Sequence, residues 1–190
     1  MTEQRSEPVR ADARQNRARI IEVARDAFSV SGDASLNSIA KKAGVGPGTL
    51  YRHFPTRETL ILAVYRHEVD ELAAHAPELL AGHPPLEALR LWFDRLAYYG
   101  QIKHGLSDVL HALTDEGLAS EIYGSVIGAI TALLRACEAD GSIAPGADPD
   151  DVLLMLGFLW RVGPGPEGEA RAGRLLDLVV DGLRPYAPAG

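Results

Sequence analysis

Between residues 43 and 55 the chain reads AGVGPGTLYRHFP, thirteen positions holding three glycines, two prolines, a threonine, a tyrosine, an arginine and a histidine. These side chains suit contact with a polyanion better than bond-making. Thr49 offers a hydroxyl and a methyl, fitted to a phosphate or to a thymine edge. Tyr51 presents a phenolic donor to phosphate, and Arg52 and His53 add charge or donors. Gly46 and Gly48 leave room for the backbone to approach a phosphate ridge. Lys41 and Lys42, just upstream, are candidate outer phosphate contacts, and Arg10 and Arg14 could reach a groove or the backbone from a flexible arm. Thr56 and Arg57, with the N–H groups that open the following helix, form a second expected anion site.

Other chemistries find little support. The histidines stand at 53, 67, 75, 83, 104 and 111, with no HExxH, no Cys/His ligand spacing and no phosphate-cradling loop after a strand. His104 and His111 lie seven apart and could share a helix face, but a turn signal at Gly105 separates them. Cys137, the only cysteine, reads as a small buried side chain in LLRACEAD and can make no internal disulfide. No enzyme, metal or cofactor is expected.

The elements that must hold the corner read almost entirely as helix, an all-α fold. Residues 14–31 put Ile20, Ala24, Ala27 and Phe28 on one stripe, with Arg17 and Arg25 away from it. Ser35 can cap a short helix in which Leu36, Ile39, Ala40 and Ala43 repeat at helical spacing, and Gly44 ends it. Pro47 suits the first turn of a third helix, where a missing N–H costs little. Leu50 and Phe54 face inward, and Pro55 closes that helix. A fourth helix is expected over 57–76, then helices over 86–103, 106–114 and 118–139. A loop at 140–150, an apolar helix in DVLLMLGFLWRV, the breaker GPGPEG and a last helix near 169–184 complete the chain. The expected organisation is an arm (1–9), a helix-turn-helix domain (10–56), a connecting helix (57–76) and a bundle-like body (77–187).

Charge divides the same way. Residues 1–67 carry 11 Lys+Arg against 7 Asp+Glu, and the remainder carries 8 against 19, so a basic head precedes an acidic body. MTEQRSEPVR lacks the apolar core of a secretory signal, and the longest apolar run, 152–160, is short for a membrane span. These features predict a soluble cytoplasmic protein without a membrane partner.

Residues 18–65, above all LNSIAKKAGVGPGTLYRHFPTRETLILAV, resemble the DNA-binding domain of the TetR family of transcriptional regulators. The resemblance implies that Thr49, Tyr51 and His53 contact DNA and that Arg57 replaces a phosphate-binding lysine. Gly46 departs from the pattern, where a serine is common. The resemblance also implies a homodimer on near-palindromic double-stranded DNA, with a body that binds a small-molecule effector. One recognition helix covers only a few base pairs, which favours a two-fold dimer. The expected interface uses Val152, Met155, Leu156, Leu159, Leu176, Val179, Val180 and Leu183; the rival role for these residues is an intramolecular core. Trp92, Arg95, Tyr99, His104, His111, Tyr123 and Phe158 are the candidate effector-pocket lining, with ordinary core packing as the rival. The functional expectation is a repressor released by its effector, the alternative a constitutive DNA-binding protein without one.

Overall fold

A computed structural model describes residues 6–30, 34–113, 116–163 and 165–185, with side chains for 12–29, 34–100, 120–163 and 165–185. The described chain is all-α: α1 (Ser6–Val30), α2 (Leu36–Lys42), α3 (Pro47–His53), α4 (Arg57–Gly82), α5 (Pro85–Leu113), α6 (Glu116–Ala139), α7 (Pro149–Met155), a 3-10 segment (Leu156–Arg161) and α8 (Pro166–Leu183). Two compact units result. The first contains the chain through His67 with Gly105–Leu113, and the second contains Glu68–His104 with the rest. This division falls inside α4.

In the first unit α1, α2 and α3 pack on one another around Ile20, Ala24, Phe28, Ile39, Leu50 and Phe54, all buried. Burying each large side chain contributes roughly 1.5–3 kcal/mol. Local chemistry fixes the two helix junctions. The Ser35 hydroxyl accepts the Ser38 N–H at 3.2 Å and caps α2. Gly44 then takes φ +67°, the left-handed conformation in which the Val45 N–H reaches back to the Ala40 carbonyl at 3.0 Å. Pro47 is the first residue of α3, as expected.

Several expected boundaries move. α1 starts at Ser6 rather than Arg14, so residues 6–9 of the expected arm are helical; Pro8 falls in the first turn, where no backbone donor is lost. α4 continues six residues beyond Ala76 and carries Pro77 inside it. A mid-helix proline costs about 3 kcal/mol, and the burial of Leu72 and Ala76 on the preceding turns helps to offset it. The expected helices 86–103 and 106–114 are one helix, α5, and Gly105 does not interrupt it. A lone glycine costs a helix only about 1 kcal/mol. The apolar segment 152–160 breaks into α7 and the tighter 3-10 turn at Leu156.

The core of the second unit is built from Leu89, Trp92, Phe93, Ile130, Leu133 and Leu176 with their neighbours, all buried. The Trp92 indole N–H donates to the Leu72 carbonyl at 2.8 Å, tying α5 to α4. Arg90 joins α5 to α8: it donates to Asp177 at 2.9 Å and to Asp94. Burial alone would push the Arg90 pKa down, but the two carboxylates outweigh it and raise it. Asp148 caps α7 by accepting from the Asp150 and Asp151 N–H groups at 2.8 and 3.3 Å. Within α6, Ser120–Ala139 is long and apolar enough in composition to cross a membrane, and Val126, Ile130, Leu133 and Cys137 form its buried stripe. Burial raises the Cys137 thiol pKa, as suits a packed side chain.

Candidate nucleic-acid interface

α3 separates its residues cleanly by face. Leu50 and Phe54, one helical turn apart, are fully buried against α1 and α2. On the outward side lie Gly48, Arg52 and Tyr51, the last 45% exposed, flanked by half-buried Thr49 and His53. An aromatic left this open, beside a glycine and an arginine, has its phenol available to a partner. Lys41 and Lys42 end α2 with both side chains exposed, and Arg14 is exposed on α1. Arg10 lies outside the described side chains. The first unit therefore presents Arg14, Lys41, Lys42, Gly46, Gly48, Tyr51, Arg52 and Thr56 to solvent.

Gly46 holds the N-cap position of α3 with φ −67° and ψ 148°, and no side chain caps the helix. Its carbonyl accepts from Thr49 and Leu50 at 3.0 and 3.2 Å, so the backbone keeps the geometry that a serine would otherwise reinforce. A Cβ at either Gly46 or Gly48 would meet nothing within 4 Å in the protein itself. The openness at these positions faces outward, toward whatever the helix approaches.

At the start of α4, where an anion site is expected, the chain's own side chains also meet the free N–H groups. Thr56 Oγ1 accepts the Thr59 N–H at 3.2 Å, and Thr59 Oγ1 accepts the Thr56 N–H at the same distance. The Glu58 carboxylate takes its own backbone N–H and a hydrogen bond from Thr56, and these, in that order, lower its pKa. Arg57 is half-buried, its guanidinium 5.4 Å from the centre of the Phe28 ring. Arg17 behaves alike over Phe54 at 5.3 Å and braces the end of α3. Periodicity sets Arg17 apart from the apolar stripe but gives no sign of this contact, which depends on α1–α3 packing.

The second unit holds the residues of both expected lists in varied surroundings. Trp92 and Tyr99 are core residues, Tyr99 meeting Trp160 edge-on at 6.0 Å and 82°. Arg95 is exposed, Phe158 is half-buried, and Tyr123 sits at the surface with its hydroxyl donating to Asp150. That hydrogen bond raises the Tyr123 pKa. His104 and His111 lie outside the described side chains. Among the described residues of that list, Trp92 and Tyr99 are buried, Phe158 is half-buried, and Arg95 and Tyr123 are exposed. An open groove of about 510 Å³ lies elsewhere, lined by Val162, Gly163, Glu167, Gly168, Ala170, Arg171 and Arg174. Of the expected interface residues, Val152, Leu156, Leu159, Leu176, Val179 and Val180 are buried within the chain itself, and Leu183 is half-buried. Met155 is 56% exposed, and Leu154 and Leu178, outside that list, are 78% and 68% exposed. The change to a 3-10 turn at Leu156 and the amphipathicity of α8 turn the other apolar side chains inward.

Comparison with known proteins agrees with the all-α fold and its helix-turn-helix head. Residues 20–64 match the bacterial regulatory proteins of the tetR family, and residues 84–185 match the C-terminal domain of SbtR-like transcriptional regulators. A TetR transcriptional regulator from Streptomyces coelicolor is 44% identical, covers 90% of this chain and 99% of its own, and superposes with a TM-score of 0.80. A TetR regulatory protein from Mycobacterium vanbaalenii is 33% identical, with 94% and 100% coverage and a TM-score of 0.77. A helix-turn-helix transcriptional regulator from Staphylococcus aureus is 35% identical over 94 residues, and that match spans about half of each chain, 48% here and 51% there.

Proposed function

Because the chain belongs to the TetR family of transcriptional regulators, we propose that it is a homodimer that reads a near-palindromic DNA site and represses transcription until a small molecule releases it. The observation that carries DNA recognition is the two-sided α3: Leu50 and Phe54 lock it to the head while Gly48, Tyr51 and Arg52 stand outward. In such a motif the second helix enters the major groove and its amino-terminal residues meet base edges. Thr49 then reads a base or its methyl, Tyr51 and His53 donate to the sugar-phosphate backbone, and Lys41, Lys42 and Arg14 supply outer phosphate contacts. Arg57 acts mainly by holding α1 to the start of α4.

Dimerisation supports this role because one recognition helix reads too few base pairs for useful specificity. Leu154, Met155 and Leu178 supply apolar surface that a single chain leaves in water. Effector release requires a ligand that prefers the off-state, by on the order of 5 kcal/mol for a full reversal of populations. The open groove beside α8 is the described space in which such a ligand could be sought. A regulator of this type works in the cytoplasm, where its DNA is.

The test titrates a selected duplex and a scrambled duplex of equal length with the wild type, Tyr51→Phe and Thr49→Ala. Tyr51→Phe should weaken both duplexes by a similar factor, as loss of a phosphate contact does. Thr49→Ala should narrow the gap between them. A wild-type protein that binds both duplexes equally would refute sequence-specific reading.

A further inference from the structure

One face of α1 changes its chemistry halfway along the helix. Arg10, Arg14, Arg17, Ile21, Ala24 and Phe28 recur at steps of four, three, four, three and four, which places all six on one stripe. Its carboxyl-terminal half, Ile21, Ala24 and Phe28, is buried in the core of the head. Its amino-terminal half is arginine alone. The change falls where α1 passes the end of α3: the Arg17 guanidinium lies 5.3 Å from the ring centre of Phe54, the residue that closes α3. Arg14 and Arg17 are exposed, and among the described residues neither makes an ion pair. Asp12 falls on the opposite side of the helix at about 100° per residue. Glu7, three residues before Arg10, is the acid in this half of α1 that lies near the stripe, so Arg14 and Arg17 are its least compensated charges.

We propose that this arginine stripe is a rail for the DNA backbone flanking the site that α3 reads. The inference rests on the proposed reading of DNA by α3 and adds to it Arg17 and Arg10, held with Arg14 on one helical face. Direction follows from the stripe itself. Its apolar half faces the core that α1 shares with α3, so its arginine half looks to that same side of α1, past the end of α3, and not away from the head. A strand running beside α3 in the groove meets that side. Contact with the Phe54 ring restrains the Arg17 side chain, and among the described residues no oxygen takes its N–H donors, which remain for a phosphate. Because the row is carried by a helix, little backbone freedom is lost on binding. From Arg10 to Arg17 the helix rises about 10 Å, and each DNA strand carries one charge per ~3.4 Å of axis, so the row can meet more than one phosphate. An arginine stripe continuous with the exposed face of α3 and opposite in charge to the duplex selects that partner.

The experiment measures the affinity of the full chain for a selected and a scrambled duplex by fluorescence anisotropy, over a salt series from about 50 to 200 mM. Thermal melting checks that each variant folds. Arg14→Gln and Arg17→Gln should each lower the magnitude of the slope of log affinity against log salt by about one unit per half-site, on both duplexes alike. Arg17→Lys keeps a cation there and should keep the slope. Arg19→Gln is the control: Arg19 is exposed on α1 but off the stripe, and its slope should stay at the wild-type value. An unchanged slope in folded Arg17→Gln overturns the rail and leaves Arg17 a brace for α3; reading by α3 still stands if the wild type prefers the selected duplex. A fall as large in Arg19→Gln also overturns it, because diffuse charge then accounts for the effect. If the melt shows Arg17→Gln unfolded, Arg10→Gln and Arg14→Gln, beyond the buried half of the stripe, decide in its place, and unchanged slopes in both overturn the rail. A wild type that binds neither duplex removes the reading of DNA and this inference with it.

Discussion

Gly48→Ala separates folding from recognition because the two should move in opposite directions. Gly48 is the second residue of α3, exposed, with no positive φ, and a Cβ there meets nothing within 4 Å. Alanine therefore enters without strain, reduces the freedom of the unfolded chain and raises helix propensity. The expected gain is about 0.4–1 kcal/mol. For a chain of this size that corresponds to a rise in melting temperature of roughly 1–4 °C. On DNA the same methyl occupies the space through which the backbone approaches the phosphate ridge. Overpacking of that kind costs about 1–3 kcal/mol, a loss of roughly five- to 150-fold in affinity. Thermal melting and fluorescence anisotropy on a selected duplex read the two effects separately. Stabilisation with unchanged DNA affinity would refute the close approach at Gly48, and destabilisation would refute the unstrained geometry.

Gly44→Ala should do the reverse of Gly48→Ala in the melt, destabilising the head by about 1–2 kcal/mol, because φ +67° is costly for any residue with a Cβ; thermal melting checks it. Glu58→Gln should strengthen binding to selected and random duplexes alike, since it removes the carboxylate that occupies the α4 amino terminus. The lowered Glu58 pKa means its contribution to stability is present above the ordinary carboxylate pKa and fades as pH falls through the folded value, which Glu58→Gln should abolish in a pH series of melts. Gly168→Ala should destabilise the second unit by about 1–3 kcal/mol or more, because the new Cβ would fall directly on the Gly163 carbonyl. An unchanged melt would show that the α8 start is looser than it stands.

Much of the head was legible because its signals are local. Ser35 as a cap, Gly44 as a left-handed stop and Pro47 as a first-turn residue act within a few positions, and the structure uses each in that way. The faces of α3 followed from the spacing of Leu50 and Phe54. The body was less legible because its breakers are weak beside its burial: Pro77 and Gly105 lie inside long helices. Apolar composition also did not tell which residues were core. In α8, periodicity places Leu176 and Val179 opposite Leu178, and only tertiary packing decides which side is covered. The same limit applies to Arg17 and Arg57, whose aromatic partners come from other helices, and to Glu58, whose type alone does not show that it fills a site expected for phosphate.

The most direct measurement is selection of binding sites from random duplex DNA with the purified full-length protein, read by sequencing. Two copies of α3 presented by a two-fold dimer predict enrichment of one inverted repeat whose half-sites are about one helical turn, or a multiple of it, apart. Folded, dimeric protein that enriches no sequence would contradict recognition by α3.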